Sequence, residues 1–256
     1  MKTARRPAPL SLLPALAVLL FAAGLLAGWA GASVRPQDSP EPAGAPSPAP
    51  IQSAAPLPSP TPIPPDRPAP EESWALALVN SDHPLPEGFT VPELTQLRNG
   101  HAIDSRAYPA LQRMMDGCRA AGLQPLICSS YRSEDTQRQL FEQEVQNWRS
   151  QGYTQKEAEA EAARWVARPG TSEHQTGLAA DIVDASYQML DQGQENTAVQ
   201  RWLMAHCAEY GFILRYPVEK SALTGVNYEP WHYRYVGAEA AREIMGGGLC
   251  LEEYLA

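Results

Sequence analysis

Histidine and cysteine are both scarce in this chain: five and four residues in 256. No cysteine pair has the C-x-x-C spacing, which argues against a thiolate metal site. After the first few residues there is no lysine and arginine cluster interleaved with aromatics, so nucleic acid is not an expected partner. No cysteine follows the N-terminal apolar run, so a lipid-modified N-terminus has no support. No internal repeat is evident, and the net charge of −9 is moderate.

What is present is unevenly spread. Lys2, Arg5 and Arg6 precede residues 10–33, a run rich in Leu and Ala without a charged side chain. That pattern is an export signal. Ala30-Gly31-Ala32 offers a small-residue cleavage site, but the run exceeds the ~7–15 residues of a signal core and reaches the ~20 of a membrane span. Its length favours an uncleaved anchor, with the basic end in the cytoplasm. Residues 1–33 are therefore assigned as signal peptide or anchor. Residues 34–72, dominated by Pro, Ala and Ser, read as a disordered, semi-rigid tether. Residues 73–256 suit one folded domain, placed outside the cytoplasm and touching the membrane only through the N-terminal segment. Its cysteines, Cys118, Cys128, Cys207 and Cys250, allow two disulfides in three pairings, or else buried free thiols.

Within residues 73–256, apolar spacing predicts helices over 105–121, from Ser133 to about Trp148, over 155–167, over 197–210 and over Ala238–Met245. Ser133 and Thr154 are the expected N-caps, and Gly122, Gly152 and Gly211 the stops. Short strands are expected at Leu126–Cys128, 178–184, 212–216 and 232–236. Helices and strands mix without βαβ alternation. The class is α+β, with a small, mainly antiparallel sheet and flanking helices.

The chemistry gathers in two segments. Ser172-Glu173-His174-Gln175-Thr176-Gly177-Leu178-Ala179-Ala180-Asp181 is one, and Glu229-Pro230-Trp231-His232 the other. A lone histidine near a carboxylate is most often structural. Here, however, Asp181 lies on an apolar strand, where a buried carboxylate needs a partner and a cation supplies one. Two histidines and an aspartate can build an open zinc site, and Glu229 is left over to take a proton from water. Pro230 keeps Glu229 out of a helix interior, so the pair must meet across a turn. Trp231 and Tyr235 are expected to pack in the core, and Arg234 to pair with an acid. Asp184 is a candidate acceptor for a metal-bound imidazole. His83 and His206 lie outside the motifs.

S-x-H-x-x-G-x-A-x-D followed by E-x-W-H, with S-x-Y-R-S at Ser129–Ser133, resembles the zinc D-Ala-D-Ala carboxypeptidases of the VanY-type branch. The resemblance covers essentially all of residues 73–256 and departs at no metal or base position. It implies a hedgehog/D-Ala-D-Ala-peptidase-like fold, zinc on His174, Asp181 and His232, and Glu229 as general base. It also implies Arg132 at the developing oxyanion, and Gln137 and Ser172 as substrate contacts. Arg132 could instead simply pair with Glu134 or Asp135, and Ser172 could be a turn hydroxyl. The implied activity is release of the C-terminal D-alanine from a peptidoglycan stem peptide. An L,D-carboxypeptidase, a dipeptidase, an endopeptidase, a non-catalytic wall-binding module and a structural zinc site are the alternatives. Glu229 weighs against a non-catalytic module, and the three-ligand set weighs against a structural site.

Overall fold

The structure, a computed structural model, describes residues 73–256. The expected anchor and tether, residues 1–72, lie outside the described residues. Among the described residues no helix is long and apolar enough to cross a membrane.

The elements in order are β1 (Leu94–Gln96), β2 (Ala102–Asp104), α1 (Tyr108–Ala120), β3 (Pro125–Ser129), α2 (Glu134–Ser150) and α3 (Gln155–Ala162). After them come β4 (Ala179–Asp184), α4 (Ala198–His206), β5 (Phe212–Leu214), α5 (Ser221–Thr224), β6 (His232–Tyr235), α6 (Ala238–Gly247) and α7 (Leu251–Leu255). β1 and β2 form a small hairpin. The other four strands form one antiparallel sheet in the order β3-β4-β6-β5. The α+β reading with a small antiparallel sheet therefore holds.

The helix starts follow local chemistry. Ser133 Oγ accepts from Thr136 N, and Glu134 and Asp135 place negative charge at the positive end of α2. Thr154 and Glu157 form a reciprocal capping box on α3. α1 starts at Tyr108, later than expected, because Asp104 accepts from Arg106 N and Nε and folds residues 104–107 into a turn. α3 stops at Ala162, short of 167, where the chain tightens into turns ahead of Pro169. α6 runs through Gly246 and Gly247 and ends only at Gly248, whose positive φ closes it. Three glycines in a row do not stop a helix until one must turn left-handed.

β4 is buried on both faces. Leu178, Ala180 and Ile182 enter the main core with Leu111, Met114 and Cys118 of α1, Val199 and Leu203 of α4, and Tyr233 and Tyr235 of β6. Burying each large apolar side chain contributes ~1.5–3 kcal/mol. Tyr235 packs between Trp74 and Phe212, as expected of a core residue. Trp231 is buried too. A second core joins Ile213 and Val236 to α6 and Leu251 of α7. A third holds the α2–α3 hairpin through Phe141, Val145, Ala158 and Ala162. The four cysteines are free thiols, so the disulfides the even count allowed are not formed. Cys118, Cys207 and Cys250 are buried, and Cys128 donates to the Asp181 carbonyl.

Candidate metal centre and active site

The sheet's opposite face carries Asp181, His232 and Arg234 beside the apolar Ala179, Val183 and Ile213. Ser129 pairs with Asp181, and Asp181 with His232, so the three stand in one row across β3, β4 and β6. A register shift between Ile127 and Ser129 sets the end of β3 against Asp181. Such irregularities re-aim side chains beside functional sites. Above this row lies the turn Glu173–Thr176, which brings in His174. Gly177, at φ +71°, closes the turn, and a Cβ there would meet Asp104 N at 3.0 Å. Only glycine turns the chain into β4 at that point without strain. The peptide of Arg132 donates to the carbonyl of His174, which fastens the S-x-Y-R-S loop to the same turn.

Three candidate ligand atoms, one each from His174, Asp181 and His232, lie within 4.8 Å of one another, all from buried residues. His174 Nε2 is 3.2 Å from Asp181 Oδ2, and His232 Nδ1 is 3.0 Å from Asp181 Oδ1. Each ring's other nitrogen already has an acceptor. His174 Nδ1 is 2.8 Å from the Ser130 carbonyl, and His232 Nε2 is 3.4 Å from Glu173 Oε2. With those nitrogens donating, both rings turn a lone pair towards the Asp181 carboxylate. Acceptors face acceptors, and a cation resolves the conflict. Two imidazoles and one carboxylate suit zinc in its open form.

The protonation balance points the same way. Burial and Arg132 hold His174 down to about 4, so it is a neutral, ligand-ready imidazole. Burial works against the charge of His232, yet hydrogen bonds to Asp181 and Glu173 raise it to about 9. Without a metal, a proton fills the gap between His232 and Asp181. Burial likewise opposes ionisation of Asp181, but His174 and His232 keep it well below the usual carboxylate range.

Glu229 reaches the site across the turn at Pro230. Its Oε2 is 3.8 Å from His232 Nδ1, and His232 N donates to its carbonyl. Burial pushes its carboxyl up to about 8, with Asp181 and Glu173 adding to the shift against the pull of His232 and Arg132. Arg132 does not pair with Glu134 or Asp135. It contacts Asp181 Oδ2 at 3.2 Å and donates twice to Ser129 Oγ, at 3.0 and 2.7 Å. Gln137 is fully buried, its amide spent on the Ala167 carbonyl and on Arg132 Nη1. Ser172 is buried beside the turn, and its hydroxyl does not cap it. His101 lies near enough for Asp181 and Arg132 to act on its half-buried ring, although burial is what chiefly lowers its pKa.

Some expectations need correcting. Asp184 is no acceptor for a ligand imidazole. It closes a surface turn by accepting from Ser186 N and Oγ. The imidazole acceptors are the Ser130 carbonyl and Glu173 instead. Glu173 occupies the x of the S-x-H motif, and no periodicity marks it. Arg234 pairs with an acid as expected, and that acid is Glu173. His83 and His206 stand outside the cluster, beside Asn80 and Glu209.

Residues 100–238 match the family described as VanY, D-alanyl-D-alanine carboxypeptidase. The chain is 49% identical over 186 residues to a D-alanyl-D-alanine carboxypeptidase of Enterococcus faecalis, a match covering 72% of this chain and 67% of that protein. The solved structure of VanYB in complex with D-alanine-D-alanine superposes with a TM-score of 0.65 at 49% identity, covering 71% of this chain and 97% of that one. A mutant of the vancomycin-resistance D,D-pentapeptidase VanY in complex with Zn(II) superposes equally well, with a TM-score of 0.65 at 47% identity, covering 72% and 99%.

Proposed function

The chain belongs to the VanY family of D-alanyl-D-alanine carboxypeptidases, and from that membership we propose a zinc-dependent D,D-carboxypeptidase that removes the terminal D-alanine of peptidoglycan stem peptides. The observation that carries the reading is the row of His174, Asp181 and His232, with each ring's outer nitrogen already engaged and Glu229 beside it.

His174, Asp181 and His232 would hold the zinc. When bound, zinc lowers the pKa of water towards neutrality and polarises a carbonyl. Glu229 takes a proton from the attacking water and returns it to the leaving amine of D-alanine. Its raised pKa suits a group that must both accept and give a proton near neutral pH. Arg132, which cannot lose its charge, steadies the negative charge developing on the scissile carbonyl oxygen. Ser172 offers its hydroxyl to the substrate, whereas Gln137 acts by bracing Arg132. Residues 73–256 form the catalytic domain. It works outside the cytoplasm, tethered through residues 34–72 to a membrane anchor at residues 1–33, the alternative being secretion after that segment is cleaved as a signal.

The experiment is Glu229→Ala. It is expected to bind zinc like the wild type and to lose D-alanine release by ~10²–10⁴-fold, the usual weight of a general base. A fully active Glu229→Ala protein would remove Glu229 from this role.

A further inference from the structure

Behind His232 lies a group of buried charges that the proposed chemistry does not use. Glu173, Arg215 and Arg234 have side chains with no solvent exposure at all, and Glu252 of α7 is 15% exposed. Glu173 Oε1 accepts from Arg215 Nε at 2.7 Å and lies 2.9 Å from Arg234 Nη1, an ionic contact off the line of a hydrogen bond. Both arginines thus sit on one carboxylate oxygen and leave Oε2 to His232. Arg215 grips Glu252 with both terminal nitrogens, at 2.8 and 2.6 Å. Arg234 Nη2 donates to the carbonyls of Ala75 and Ala77, and its Nε to that of Tyr235. Asn80 Nδ2 donates to Glu252. The Tyr216 ring centroid lies 4.8 Å from that of His232, and the Arg215 guanidinium sits 4.8 Å from the Tyr216 ring centroid.

Two positive and two negative charges balance in this cluster. Burying charges is nevertheless costly, and well-packed apolar residues of the same volume often serve stability as well or better. The cluster therefore calls for a reason other than stability, and its geometry supplies one. A carboxylate pinned by two arginines cannot rotate away from the one ring nitrogen it faces. A carboxylate on the outer nitrogen fixes the tautomer and the aim of a metal-binding imidazole. His174 is aimed by a neutral carbonyl instead, so the two rings are held by different means.

We propose that Glu173, clamped between Arg215 and Arg234, is a positioning residue that keeps the proton of His232 on Nε2 and so presents Nδ1 to the metal. Through Arg215 and Glu252 the clamp ties the C-terminal helix to the metal site. Through Arg234 it ties in the segment at Ala75–Ala77. The inference rests on the zinc reading above.

Two measurements on the full chain test it. Zinc affinity is measured by chelator competition for wild type and Glu173→Gln, with circular dichroism confirming that the metal-free variant is folded. The variant is expected to bind zinc ~10–100-fold more weakly, the usual weight of such a partner. A purely structural role would lower the melting temperature and leave the affinity of the folded protein unchanged, which overturns the proposal. If the variant does not fold, long-range ¹H–¹⁵N spectra of the wild-type zinc protein decide alone. The proton of His232 is expected on Nε2, and a proton on Nδ1 overturns the proposal. Failure of the wild type to bind zinc removes the metal reading itself. Wild-type binding matched by Glu173→Gln removes only the positioning role.

Discussion

Glu229 carries a conflict that only function explains. It is a buried carboxyl near two other carboxylates, and burial above all keeps its pKa up to about 8 in the metal-free protein. Its raised folded pKa means that the unfolded chain gives up this proton at about 4.5 while the folded chain keeps it. The group therefore costs nothing below pH 4.5 and destabilises the metal-free fold increasingly as pH rises towards 8. Glu229→Gln, a neutral group of the same shape, is expected to melt at a higher temperature than wild type at pH 8 when both are metal-free. Equal melting temperatures in calorimetry at pH 8 would contradict the strain assigned to this carboxyl. Glu229, His174, Asp181 and His232 were legible in the sequence because their residue types serve one chemistry at a spacing few other tasks need. Glu173 was not. A lone glutamate inside a motif looks the same whether it meets solvent or two buried arginines 42 and 61 residues further along the chain.

At the scale of elements, the site depends on how β4 is entered and paired. The sequence marked β4 by its alternation, and Asp181 by being out of phase with the apolar face. It marked α2 and α3 by their capping residues. It did not mark the β1–β2 hairpin, whose three-residue strands are too short to show a period. Nor did it reveal the register shift in β3, which arises from pairing and leaves no trace in composition. Gly177 is where local conformation and site geometry meet. Gly177→Ala must hold a positive φ and press its Cβ against Asp104 N. A loss of ~1–2 kcal/mol in urea denaturation is expected. It should come with weaker zinc uptake, because the same turn carries His174. A variant as stable as wild type would show that this turn tolerates a side chain.

At the scale of the molecule, three apolar clusters hold the sheet, the helical hairpin and the C-terminal helices, while one charged cluster runs beneath the metal site to α7. Glu252 is the outermost member. Burial opposes its charge, but the hydrogen bonds from Arg215 prevail and hold its carboxyl below the ordinary value of 4.5. A depressed carboxylate stabilises the fold fully above pH 4.5, and that contribution is lost as pH falls through the folded pKa. Glu252→Gln is expected to cost ~1.5–3 kcal/mol at pH 7, the range for a hydrogen bond to a charged partner. Its gap from wild type should then narrow as the pH drops below about 4.5. A gap that stays constant in urea titrations across that range would mean the ion pair is not its source. No sequence period could have joined Glu252 to Glu173, because the connection passes through Arg215, just past the end of β5.

The most direct measurement offers the purified protein pentapeptide and tetrapeptide stems separately, with zinc and with a metal chelator, and follows free D-alanine by mass spectrometry. Release from the pentapeptide that the chelator abolishes is the predicted result. Release that survives the chelator, or occurs only from the tetrapeptide, would contradict a zinc-dependent D,D-carboxypeptidase.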